Sequence, residues 1–172
     1  MTAATKKAPK TVAVRDEKGD TRGEKAPDLV RASLGRGSDG RLRATFSLAA
    51  KLTPSDLRAT SGPPGSLCLR MWTTSEPPNQ PEDYLACVTA QPDDTLRGTV
   101  TKENLDGLPN KVGTASVSLR DGRIVILRFS QSAIARPATI QFAAEGTRAG
   151  CARTSCIDTA PDAPATATFK LG

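Results

Sequence analysis

Leu67-Cys68-Leu69-Arg70-Met71-Trp72 and Asp83-Tyr84-Leu85-Ala86-Cys87-Val88 are the two runs on which the fold turns. Side chains in an extended strand point alternately to opposite faces, and both runs alternate in that way. Setting Cys68 opposite Cys87 in an antiparallel pair brings Leu67 to Val88, Leu69 to Ala86 and Met71 to Tyr84. One face is then apolar on both strands. The other face is mixed, with Arg70 against Leu85 and Trp72 against Asp83. Disulfide and hydrophobic register reach the same pairing independently, and the proline-rich stretch 74–82 serves as the hairpin loop. A bridge closing about twenty residues stabilises by about 3 kcal/mol on the chain-entropy model.

Period two recurs along most of the chain. Leu42, Ala44, Phe46 and Leu48 alternate with Arg41, Arg43, Thr45 and Ser47, a strand with one wet face. Before it, Val30, Ala32 and Leu34 share a face, and a three-residue loop Ser38-Asp39-Gly40 with Gly40 left-handed gives the pairs Leu34/Ala44, Ala32/Phe46 and Val30/Leu48. Asp121-Gly122 is a two-residue hairpin turn that sets Leu119 against Ile124 and Val117 against Ile126. The run Ile124–Phe129 is apolar on both faces and belongs in the middle of a sheet. Further strands are expected over 12–14, 95–101, 138–144 and 165–171, and short helical turns at Thr53-Pro54-Ser55-Asp56 and over 132–136. The expectation is an all-β fold: a single-domain antiparallel β-sandwich of jelly-roll type with about nine strands, spanning 11–172 behind a flexible tail, 1–10.

Composition narrows the chemistry. The chain has no histidine. That removes Ser-His-Asp and Cys-His catalysis, histidine zinc sites and histidine-ligated haem. Neither a glycine-rich phosphate loop nor Gly-x-Ser-x-Gly occurs. The adjacent acids Glu82/Asp83 and Asp93/Asp94 would point to opposite faces of a strand. Only a carboxylate pair assembled from distant loops is left for glycoside chemistry, so a non-enzyme is expected. No apolar run is long enough to span a membrane. The net charge of +6 favours an acidic partner, yet Arg31, Arg41, Arg43, Arg97, Arg123 and Arg148 are scattered in sequence. With six aromatic residues and no reading element, nucleic acid is the weaker reading.

The four cysteines Cys68, Cys87, Cys151 and Cys156 lack the paired CxxC knuckles of a zinc ribbon. Two disulfides are expected, Cys68–Cys87 and a local clip Cys151–Cys156, and with them an oxidising compartment. Residues 1–10 have no apolar stretch of signal-peptide type, so the expectation is a mature secreted or surface domain that follows a leader.

Two stretches carry a family resemblance. Asp16-Glu17-Lys18-Gly19-Asp20, followed by Pro27-Asp28-Leu29, resembles the "D-P-x-G-D … P-D-I" opening of many secreted bacterial β-sandwich domains of the DOMON-like group, which includes family 9 carbohydrate-binding modules. The stretch Asp158-Thr159-Ala160-Pro161-Asp162 is similar to the group's "D-x-A-P-D" ending. The resemblance implies a sandwich and, for some members, sugar or haem binding. Read from the residues alone, Asp16, Asp20, Asp28 and Asp158 are carboxylates at loop–strand junctions, the oxygen type that calcium takes; equally, Asp forms such turns without a metal.

Two functions stay open. One is a non-catalytic module for carbohydrate or a cell-envelope polymer, with Trp72, Arg70 and Tyr84 as ligand residues and Trp72 exposed as a stacking surface. The other is a structural or protein-interaction domain, with Trp72 buried and a protein partner met by edge strands or by the loop 74–82.

Overall fold

The computed structural model describes residues 11–16, 27–74, 76–77 and 80–171, so the tail 1–10 lies outside the described residues. Eleven strands form among the described residues: β1 (Thr11–Arg15), β2 (Leu29–Arg36), β3 (Leu42–Leu48), β4 (Ser66–Trp72), β5 (Tyr84–Ala90), β6 (Leu96–Lys102), β7 (Asn110–Arg120), β8 (Ile124–Phe129), β9 (Thr139–Thr147), β10 (Ile157–Ala160) and β11 (Ala167–Lys170). The only helical elements described are short 3-10 turns at Pro54–Leu57, Gln131–Ile134 and Thr154–Cys156. The first two were expected. The all-β antiparallel fold stands, with more strands than the expected nine. The additional short strand, β10, has only four residues, too few for periodicity to reveal, and exists because the edge of β9 accepts it.

The strands wrap in the order β1-β2-β3-β8-β7-β6-β5-β4-β9-β10, with β11 also on β9. Strand β7 makes the corner. Its second half, Ser116–Arg120, pairs with β8 and completes a front sheet β1-β2-β3-β8-β7. Its first half, from Asn110 to Ala115, pairs with β6 and opens a back sheet β7-β6-β5-β4-β9, whose far edge is covered by β10 and β11 lying one after the other along β9. The corner is tight. A Cβ on Gly98 of β6 would sit 2.6 Å from the Ala115 carbonyl oxygen and 2.7 Å from Leu127 Cδ1, so only glycine lets the two sheets come this close.

One apolar cluster fills the space between the sheets, with Phe46 and Phe129 from the front and Leu67, Met71 and Phe142 from the back. On the open side, the buried Asp158 of β10 accepts the backbone N–H of Leu29 at 2.6 Å and ties the last strands to the start of β2. An unpaired N–H buried there would cost about 1–3 kcal/mol, so this carboxylate acts as a structural clasp.

The register bears out most of the reading. In β4/β5 every expected pair is present, from Leu67/Val88 through Cys68/Cys87 to Met71/Tyr84. In β2/β3 Leu34 meets Ala44 and Ala32 meets Phe46, and Gly40 is left-handed at φ 80°. The third pair is corrected: a bulge between Leu29 and Arg31 puts Leu29 rather than Val30 opposite Leu48. The β7/β8 pairing is corrected by one residue. Arg123 joins the turn, with its N–H on the Arg120 carbonyl, so Leu119 faces Val125 and Val117 faces Leu127. That slip turns Ile124, Ile126 and Arg128 outward and leaves Val125, Leu127 and Phe129 for the core. Strand β8 is central in its sheet, as expected.

Candidate functional site

The outer face of the back sheet carries Cys68, Arg70 and Trp72 from β4 and Ala143 and Glu145 from β9. Two loops rise over it. The first joins β4 to β5 and is anchored by Asp83, whose Oδ2 accepts the backbone N–H groups of Thr73 and Thr74 at 2.7 and 2.9 Å. The second follows β10 and carries Pro161 and Pro164. Between them lies a cleft of about 420 Å³ lined by Arg70, Trp72, Pro81, Glu82, Thr159 and Pro161, among others.

Arg70 organises the cleft. Its guanidinium contacts the Glu82 carboxylate at 3.1 Å and the Glu145 carboxylate at 3.8 Å, and lies 4.9 Å from the centre of the Trp72 ring. One cation thus serves two carboxylates. Burial pushes the Glu145 carboxyl above its usual 4.5; Arg70 opposes that rise, and the neighbouring Glu82 charge adds to it. Cys68 and Cys87 form a disulfide on the same face, and Cys151–Cys156 forms the second bridge. The two bridges suggest an oxidising, extracytoplasmic environment.

The expected ligand residues divide. Arg70 and Trp72 line one cleft, whereas Tyr84 faces Met71 on the core side of the sheet and is only 7% exposed. Tyr84 therefore belongs to the core. Of the two alternatives for Trp72, exposed or buried, the structure shows the buried one. Trp72 is 5% exposed, and its indole N–H donates to the Gln80 carbonyl at 2.9 Å while Arg70 covers the ring. An indole with one polar tip packs best where that tip finds an acceptor, and the loop backbone supplies it here. The four phenylalanines are buried as expected, so all six aromatic side chains of the chain are inside and none offers a flat face to a sugar.

Three of the calcium candidates, Asp16, Asp28 and Asp158, stand around the start of β2. Asp158 is the clasp on Leu29, the Asp28 carbonyl accepts the Ala49 N–H, and the Asp16 N–H donates to the Val30 carbonyl. Among the described residues no three acidic or cysteine side chains form a group that could hold a metal ion. Asp20 lies outside the described residues.

Glu82 and Glu145 are the site residues that the sequence reading missed as a pair. The signal for Glu145 was present, since Gln141, Ala143, Glu145 and Thr147 continue the alternation of β9 beyond the expected end at residue 144. Beside the cleft, and sharing its Glu82 wall, is a wider hollow of about 610 Å³ bordered by Asp83, Glu103, Leu105 and Asp106. No protein-family model, curated protein or solved structure matches the chain.

Proposed function

We propose that this chain is a non-catalytic binding module, secreted or displayed at a cell surface as its likeness to DOMON-like domains implies, and that it takes a carbohydrate segment in the Arg70 cleft. The observation that carries this reading is the cleft itself: planar, hydrogen-bonding Arg70, Glu82 and Gln80 stand with Thr159 between proline walls. Recognition in such a place runs through polar groups held by their neighbours, because every aromatic ring is buried. Binding is favoured over catalysis because Arg70 engages both carboxylates.

Trp72 is the chain's only tryptophan and lines the cleft, so its fluorescence reports occupancy. Titration with soluble neutral oligosaccharides should move the emission saturably in the oxidised protein, and Arg70→Ala should abolish the change. Unmoved emission, together with no heat of binding in calorimetry, would refute the cleft as a sugar site.

A protein-interaction domain is the second reading, and one observation favours it. Leu105 and Leu108, in the loop between β6 and β7, are 85% and 87% exposed beside the acidic hollow. Exposed leucines rimmed by charge are what a protein partner covers. Replacing both with Ser should leave the sugar titration intact and abolish partner capture.

A further inference from the structure

The outer face of the front sheet collects arginines that the sequence scatters. The register aligns three rows across β1, β2, β3, β8 and β7. The first row reads Thr11, Gly35, Arg43, Arg128 and Ser116. Ala13, Ser33, Thr45, Ile126 and Ser118 form the second, and Arg15, Arg31, Ser47, Ile124 and Arg120 the third. Five arginines and six hydroxyl residues stand on this face, and no carboxylate occupies any of the fifteen positions. Among the described residues, none of the five guanidiniums is in an ion pair.

The arrangement costs the fold something. Arg43 lies directly opposite Arg128, and Arg15 directly opposite Arg31. Like charges placed opposite each other destabilise a ladder, and Thr or Ser would serve the outer face of a strand equally well. Four of the five arginines are exposed, with Arg128 half-buried. On the β1–β2–β3 side, Thr11, Arg31, Ser33, Arg36, Arg43 and Thr45 line a shallow hollow of about 270 Å³.

We propose that this face binds a linear acidic polysaccharide, with the arginines taking its anionic groups and the serines and threonines its hydroxyls. Neighbouring strands lie about 5 Å apart, and the first and third rows are separated by roughly 13 Å along the strands. An anion met by one row cannot reach the other, so a ligand that uses the whole face carries several charges on an extended chain. The other polyanions fit less well. The face has no aromatic residue on which a base could stack. Ile126 is only 1% exposed, which leaves little apolar surface for insertion into a lipid layer. This site lies on the opposite sheet from the Arg70 cleft and does not depend on it.

Polygalacturonate, a carboxylate-bearing linear polymer, is the probe. Wild-type protein should bind it at low salt, Arg70→Ala should keep that binding, and free polymer but not monomeric galacturonate should displace it. Arg31→Ser/Arg43→Ser/Arg128→Ser should weaken binding at least about tenfold, since affinity for a polyanion scales with the number of its charges neutralised. Arg97→Ser/Lys111→Ser/Arg153→Ser removes the same charge elsewhere and should change affinity by less than about threefold on the same argument. The circular dichroism and Tm of the first variant check its fold. Should it unfold, Arg43→Lys/Arg128→Lys keeps the charge and should keep most of the binding. Equal losses in both triple variants would reduce the effect to net charge and overturn the proposal. So would no binding by the wild type, or displacement by duplex DNA or anionic vesicles at lower concentration than by the polymer.

Discussion

The two outer faces of this molecule are built alike and hold charge in opposite ways. On the back sheet, half-buried Arg70 is shared between Glu82 and Glu145, covers Trp72 and stands beside the Cys68–Cys87 bridge. On the front sheet five arginines meet no carboxylate among the described residues, and two pairs of them face each other across strands. A cation that is paired and partly covered contributes to stability. A face whose charges are bare and opposed draws on stability, which is the usual mark of a surface kept for a ligand. The net charge of +6 averages over both faces and shows neither arrangement.

The largest expected effect tests the covered face. Replacing Cys68 and Cys87 together with Ala should cost about 3 kcal/mol in urea unfolding, whereas replacing Cys151 and Cys156 should cost about 2 kcal/mol, because the second bridge closes a much shorter loop. Equal costs would mean that the hairpin is held by its register rather than its staple. Next come two identical substitutions on opposite faces. Arg70→Thr leaves Glu82 and Glu145 without their cation and should lower stability by about 1–3 kcal/mol. Arg43→Thr removes a repulsion and should raise it by about 0.2–1 kcal/mol, more at low salt than at high. If both lower the Tm, the contrast between the faces fails.

The smallest effect is a pH dependence confined to the back face. Because the Glu145 carboxyl is raised in the folded protein, its share of stability is complete below about 4.5 and is lost as pH rises through its raised value. The Tm of the wild type relative to Glu145→Gln should therefore fall as pH rises through that window. A difference that instead grows with pH would mean that attraction to Arg70 outweighs burial.

How much of this was legible varies by region. The β4/β5 and β2/β3 pairings were readable because a loop or a bridge joins neighbours in sequence, and an apolar face on each strand admits one register. The β7/β8 register slipped because a two-residue and a three-residue turn start from the same Asp121-Gly122, and only the packing of Val125 and Leu127 decides between them. Trp72 was assigned to the correct face of β4, yet its burial depends on Gln80, whose carbonyl takes the indole N–H, and on Arg70 over the ring. Likewise the part Asp158 plays in holding the start of β2 is invisible until the Leu29 N–H is placed against it.

Alternation, turn residues, cysteine spacing and the absence of histidine are local properties, and they determined the all-β class, the first bridge and the chemistry excluded. Tertiary structure alone decided which strands became neighbours. The direction of each Cβ follows from the pleat of its own strand, so the sequence shows that Arg43 points away from Leu42, Ala44 and Phe46, whereas the side taken by Arg128 waits on the β7/β8 register. Their meeting on one face requires β3 to lie against β8, and Glu145 meets Arg70 only because β9 lies against β4. Those adjacencies join segments distant in the chain. They are chosen by the burial of both apolar faces in one core, a property of the whole molecule that no stretch of it carries alone.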